Sequence, residues 1–134
     1  MTANELMIGD WVAYNGDVDY INPIRIEGMD IATGMCITSD RDDVGFDGVD
    51  PIPLTAEILE KNGFNCEEII QPHWISEDGR ILLRNDESLI NSNNKWSVHV
   101  DNEDMQTIGY FELTYVHQLQ HALRLCNIEK EIEI

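Results

Sequence analysis

The segment Lys95-Trp96-Ser97-Val98-His99-Val100-Asp101 alternates apolar and polar side chains at nearly every step. Only an extended strand sends consecutive side chains to opposite faces. The stretch therefore predicts a half-buried strand with Trp96, Val98 and Val100 inward and Ser97, His99 and Asp101 outward. A strand needs neighbours, and the flanking sequence supplies them. Trp74-Ile75, Arg80 to Arg84, Ser88 to Ile90 and Thr107 to Leu113 read as further short strands. Glu77-Asp78-Gly79 and Asn91-Ser92-Asn93-Asn94 read as the turns between them. Residues 68–113 are thus expected to form an antiparallel meander.

Residues 1–52 carry the same punctuation at closer spacing. Gly9-Asp10-Trp11-Val12-Ala13-Tyr14 predicts a strand that ends in an Asn15-Gly16 hairpin turn, with the next strand over Asp19 to Ile21. Ile24, Ile26 and Met29 predict another strand, bent at Glu27-Gly28, and Met35-Cys36-Ile37-Thr38 one more. Strands this short suggest a closed sheet, and the Gly-Asp-x-Val opening looks like that of SH3-like barrels. An Asp- and Gly-rich loop over 40–50, followed by Pro51 and Pro53, marks a boundary. The expected fold is α+β: a small SH3-like β-barrel over 1–52, then a helix–meander–helix subdomain over 53–134.

The two helices are read from their ends and their stripes. Thr55 to Asn62 has Thr55 as N-cap, Glu57 in the first turn, Gly63 as the left-handed residue after the helix, and Phe64 to fold back on Ile58 or Leu59. From about Thr114 to Cys126, Tyr115, Val116, Leu119, Ala122, Leu123 and Cys126 fall on one stripe, and His117, Gln120, His121 and Arg124 on the other side. Residues 129–134 alternate charge with Ile, a pattern for an edge strand or a frayed tail.

A chain of 134 residues can bury a core without disulfide or metal. Its 26 Asp and Glu against 8 Lys and Arg give a formal charge of -18. A polyanion or an anionic membrane would repel such a chain unless a basic patch overrode the field. The closest cationic pairs, Arg80/Arg84 and Arg124/Lys130, sit among acids. No direct nucleic-acid or membrane contact is expected; a protein partner is, and self-association stays open. Cys36, Cys66 and Cys126 are odd in number and lack CxxC spacing, which points to reduced thiols rather than a disulfide framework. The first residues have neither a basic region nor a long apolar run, so a cytoplasmic setting is expected.

Chemistry-bearing patterns are few. His117 and His121, spaced i,i+4 on a helix, can place two imidazoles on one face and chelate a metal. Gln118 stands where the HExxH pattern has Glu, and no third ligand is near in sequence; two solvent-facing histidines is the plainer reading. Asp40, Asp42 and Gly45 match part of a calcium loop, but Val44 and Pro51 stand where ligands are needed. Cys66 and His73 lie seven apart, and Cys126 is on the apolar stripe, where a buried inert thiol is expected. No phosphate-binding glycine loop, GxSxG or dinucleotide fingerprint occurs. No cofactor is expected.

Three blocks, Ala3 to Val12, Pro51 to Phe64 and Tyr115 to Cys126, together resemble an uncharacterised family of short proteins of gut Bacteroidetes and their phages or mobile elements. The resemblance implies a cytoplasmic, phage-related role and brings no catalytic residue with it. It also implies Gly where Asn127 stands, and Asn tolerates the same left-handed conformation. The functional expectation is a non-catalytic, acidic protein-binding or adaptor module. Two alternatives stand beside it: an acidic DNA-mimic decoy of a nucleic-acid-binding protein, and a metal-dependent enzyme using His117 and His121.

Overall fold

A computed structural model describes residues 1, 5–17, 19–20, 22–41, 43–68, 71–85 and 95–134. The chain divides into two compact units, Met1–Pro53 with Tyr115–His117, and Leu54–Thr114 with Gln118–Ile134. Each is built on a five-stranded antiparallel sheet.

The first unit holds β1 (Trp11–Tyr14), β2 (Ile24–Asp30), β3 (Met35–Thr38), β4 (Val44–Gly45) and β5 (Val49–Pro51). Their spatial order is β4-β3-β2-β1-β5. β3 matches its expected bounds, and β2 shifts register between Ile26 and Gly28, the expected bend. Leu6, Val12, Ile24, Ile26, Cys36, Phe46 and Val49 form the core of this sheet.

Three expectations for this unit are corrected. The sheet is not closed into a barrel: among the described residues β4 pairs only with β3 and β5 only with β1. Closure demands end strands long enough to tilt and bond across the seam, and β4 and β5 have two and three residues. No two-residue hairpin follows β1 either. Asp17 N donates to Tyr14 O at 3.1 Å around Gly16 at φ 90, as a type II turn requires. The chain then passes through Tyr20 in a left-handed conformation (φ 52) and reaches β2 only at Ile24. The expected strand is therefore absent at Asp19 and Tyr20, and Ile21 lies outside the described residues. Last, 40–50 is not simply a solvated loop. It contains β4, a 3₁₀ turn over Phe46–Gly48 and the start of β5, because Phe46 and Val49 are buried in the core. Asp42 lies outside the described residues.

The second unit opens with α1 (Ala56–Lys61). Thr55 Oγ1 accepts from Ile58 N at 3.2 Å, the expected N-cap. At the other end Gly63 takes φ 83, Gly63 N donates to Glu60 O and Phe64 N to Leu59 O. This pair of bonds is a Schellman motif, and it folds Phe64 into the core. The strands β6 (Asn65–Glu68), β7 (Pro72–Ile75), β8 (Ile81–Asn85), β9 (Trp96–Asp101) and β10 (Thr107–Leu113) form a meander in the order β10-β9-β8-β7-β6. β6 has no clear sequence signal, since all four of its residues are exposed. The expected strand at Ser88 to Ile90 and turn at 91–94 lie outside the described residues.

Trp96, Val98 and Val100 are buried as β9 requires, and Trp96 Nε1 donates to Leu54 O at 3.0 Å while its ring meets Trp74 edge-on at 5.1 Å. α2 (Val116–Leu125) ends in a second Schellman motif. Asn127 sits at φ 61, Asn127 N donates to Arg124 O and Ile128 N to Leu123 O. Residues 129–134 neither add a strand nor fray. Asn62 Nδ2 donates to Glu133 O and Glu133 N to Asn62 Oδ1, both at 2.7 Å, and Ile132 is buried.

Candidate functional site: the outer face of the second sheet

The register of the meander sets two rows of side chains across its outer face. Ile75 faces Leu82, Leu82 faces His99, and His99 faces Tyr110. Strand periodicity keeps all four on the face opposite Trp74, Leu83, Val98 and Phe111. Ile75 and Leu82 are half-buried, and Tyr110 is 55% exposed. The His99 and Tyr110 rings meet edge-on at 4.8 Å, a cross-strand aromatic contact that fixes both side chains. Bulging between Thr107 and Gly109 adds Ile108, 47% exposed, beside this row.

The second row mixes charged side chains with Ser97, which is buried although its position in the strand alternation predicts it outward. Glu67 faces His73, His73 faces Arg84, Arg84 faces Ser97, and Ser97 faces Glu112. His73 Nε2 lies 3.6 Å from Glu67 Oε2. At the other side of the apolar row, Asp101 Oδ1 accepts from Thr107 Oγ1 at 3.1 Å, and Arg80 Nε donates to Asp101 O at 2.9 Å. The face is thus an apolar and aromatic band bordered on one side by Glu67, Arg84 and Glu112 and on the other by Arg80 and Asp101. Its described residues offer contact area and charge.

His117 is buried, 4% exposed, with the Tyr115 ring stacked on it at 5.9 Å. This corrects the reading of two solvent-facing histidines. α2 buries Gln120 as well as Val116, Leu119, Ala122 and Leu123, so burial spreads beyond the apolar stripe. His121 is half-buried. Among the described residues no group of three or more His, Cys, Asp or Glu could hold a metal ion.

The three thiols are all shifted in one direction. Burial pushes the Cys36 and Cys126 thiols up. Cys66 is also pushed up, by desolvation first and then by the carboxylates of Glu68 and Glu60. A raised thiol pKa leaves little thiolate at neutral pH. A cleft in the second unit, lined in part by Ser76, Asp78, Ile128 and Lys130, contains a serine bonded to a carboxylate. Ser76 Oγ donates to Asp78 Oδ1 at 2.6 Å and accepts from Ile81 N at 3.0 Å. Those bonds shape the β7–β8 turn. No histidine lines the cleft to take the hydroxyl proton, as an activated serine requires.

Sequence periodicity does not single out Tyr110 and Ile108 as surface contacts. It marks Thr107 to Leu113 as a strand, but only pairing with β9 decides which alternate side chains face outward.

No family model, no curated protein and no solved structure matches the chain.

Proposed function

We propose that the protein is a non-catalytic binding module that holds a basic protein partner against the outer face of its second sheet. The observation that carries this reading is the row Ile75–Leu82–His99–Tyr110, an apolar band bordered by Glu67, Glu112 and Asp101, with Arg84 and Arg80 set among them. Exposed aromatic and aliphatic side chains supply contact energy, and surrounding carboxylates select a cationic partner and speed its approach. A formal charge of -18 extends that selection over the whole surface. Among the described residues no helix is long and apolar enough to cross a membrane. The cytoplasmic, phage-related setting implied by the family resemblance belongs to the same proposal.

The test compares what host lysate yields to the untagged protein and to Tyr110→Glu, each over a salt gradient. The expected result is a partner held by the parent protein, released by salt and lost in the variant. Equal recovery by both proteins sinks the reading.

A second reading rests on the first unit. Residues 1–52 hold 11 acids and two bases. Both bases lie over aromatic rings, Arg25 at 5.5 Å from Trp11 and Arg41 at 5.0 Å from Tyr14. Asp19, Glu27, Asp30, Asp40, Asp43, Asp47 and Asp50 are exposed. Such a surface suits an acidic decoy for the basic groove of a nucleic-acid-binding protein. Competition decides it: a decoy's partner releases it when duplex DNA is added, whereas a partner held on the second sheet through Tyr110 does not.

A further inference from the structure

We infer that the outer edge of β10 takes up an extended, Lys- or Arg-bearing segment of the partner as an added strand of the second sheet. The inference rests on the binding-module reading and names how the partner is held. β10 closes one end of the sheet order, and among the described residues it pairs with β9 alone. A sheet edge presents a row of backbone N–H and C=O groups ready to pair, and proteins usually blunt such edges. The other three edges are blunted by length or charge. β4 and β5 have two and three residues, and β6 has four with Glu67 and Glu68 adjacent. β10 has seven residues, no Lys and no Pro, and a single acid, Glu112. Its bulge is confined to Thr107–Gly109, which leaves Gly109 to Leu113 in regular register.

The side chains beside this edge define the segment it fits. Ile108 and Tyr110 are exposed and apolar near the middle. Glu112 stands toward one end, and Asp101, Glu103 and Asp104 lie before the other. Main-chain bonds give affinity in strand addition, and alternate side chains give specificity. Here those positions call for cations at the ends and apolar groups between. A second copy of this chain would instead bring another -18 charge and the same carboxylates to the edge. Charge complementarity therefore selects a basic partner strand over self-pairing.

The probe is a short Lys/Val peptide with Lys at both ends and Val between, set against a version of equal charge with Pro at alternate central positions and a version with Glu for Lys. Binding is read by fluorescence anisotropy, and hydrogen exchange locates it. The Lys/Val peptide is expected to bind roughly tenfold or more tighter than the Pro version, which keeps the charge but cannot complete the ladder. Amides of β10 should gain protection, and Glu112→Gln should weaken binding. Equal binding of the Lys/Val and Pro peptides overturns strand addition. If their binding still disturbs Ile75, Leu82 and His99, the binding-face reading survives alone; if neither β10 nor that face responds, both fall. Binding of the Glu peptide as tight as the Lys peptide, or a concentration-dependent dimer protected at β10, overturns the basic partner.

Discussion

Among the described residues the two sheets have five strands each, yet the chain visits them differently. In the second, every strand pairs with the next in sequence. In the first, β1 lies between β2 and β5, so Val12 must find Pro51 across most of the unit. The first sheet ends in strands of two and three residues, the second in strands of seven and four. Their charges differ too: 11 acids to two bases over residues 1–52, against 15 to six over 53–134. A meander of longer strands can leave an edge and an outer face available for contact. The first sheet has short ends and a denser acidic surface, and its core depends on long-range pairing. The proposed contact face lies on the second sheet, and the denser acidic surface lies on the first.

The largest test of that division is Trp96→Ala. It removes a buried ring, its bond to Leu54 O and its contact with Trp74. The expected loss is about 3–5 kcal/mol in urea unfolding. Hydrogen exchange should show β6–β10 losing more protection than β1–β5; equal loss would break the division.

A matched pair of glycines compares packing in the two sheets. A Cβ on Gly109 would lie 2.7 Å from Phe111 Cε2 and 2.8 Å from Cys126 Sγ. Gly109→Ala should cost about 1–3 kcal/mol, and Cys126→Ala in the same chain should return part of it. A Cβ on Gly28 meets Ile37 first, with Cδ1 at 3.3 Å, a side-chain tip that can give. Gly28→Ala should stay within about 0.5 kcal/mol of the parent. A reversed order in thermal unfolding would mean that the first sheet is the tighter one.

Asn62→Ala removes both bonds to Glu133 and the one from Asn62 Nδ2 to Ile58 O. A loss of about 1 kcal/mol is expected, with residues 129–134 newly open to limited proteolysis. A tail that stays protected would show that Ile132 alone holds it.

The smallest effect is electrostatic. The hydrogen bond from Ser76 holds the Asp78 carboxyl below its ordinary value, and the bond from Arg80 N adds to this. A folded pKa below the unfolded one stabilises the fold above about pH 4, and that contribution is lost as pH falls through the folded value. Ser76→Ala should raise the Asp78 pKa in a carboxyl NMR titration and flatten the acid limb of stability. An unchanged titration would remove the Ser76 hydrogen bond as the cause.

How much is legible in the sequence varies by element. The Thr55 cap, the Gly63 stop and the Phe64 return are readable because each depends on residues within one or two turns. Asn127 at φ 61 behaves the same way, as the left-handed residue that ends α2. β3, the bend in β2 and the inward set of β9 are readable from period-two alternation. β6 is not, because four exposed residues carry no apolar signal. The sequence pattern misplaces His117 because the apolar stripe defines only the face that must be buried, and α2 buries part of the other as well.

Alone, the amino-acid order dictates the strands that alternate, the helices that are capped and the acidity. Those properties are local or additive along the chain. Whether the first sheet closes, which face of the meander points outward and which strand is left at its edge were decided only by tertiary pairing. Joining distant strands costs loop-closure entropy that is offset only when many buried side chains come together at once. No short window of sequence contains that sum, so the open first sheet and the exposed edge of β10 become visible only in the folded chain.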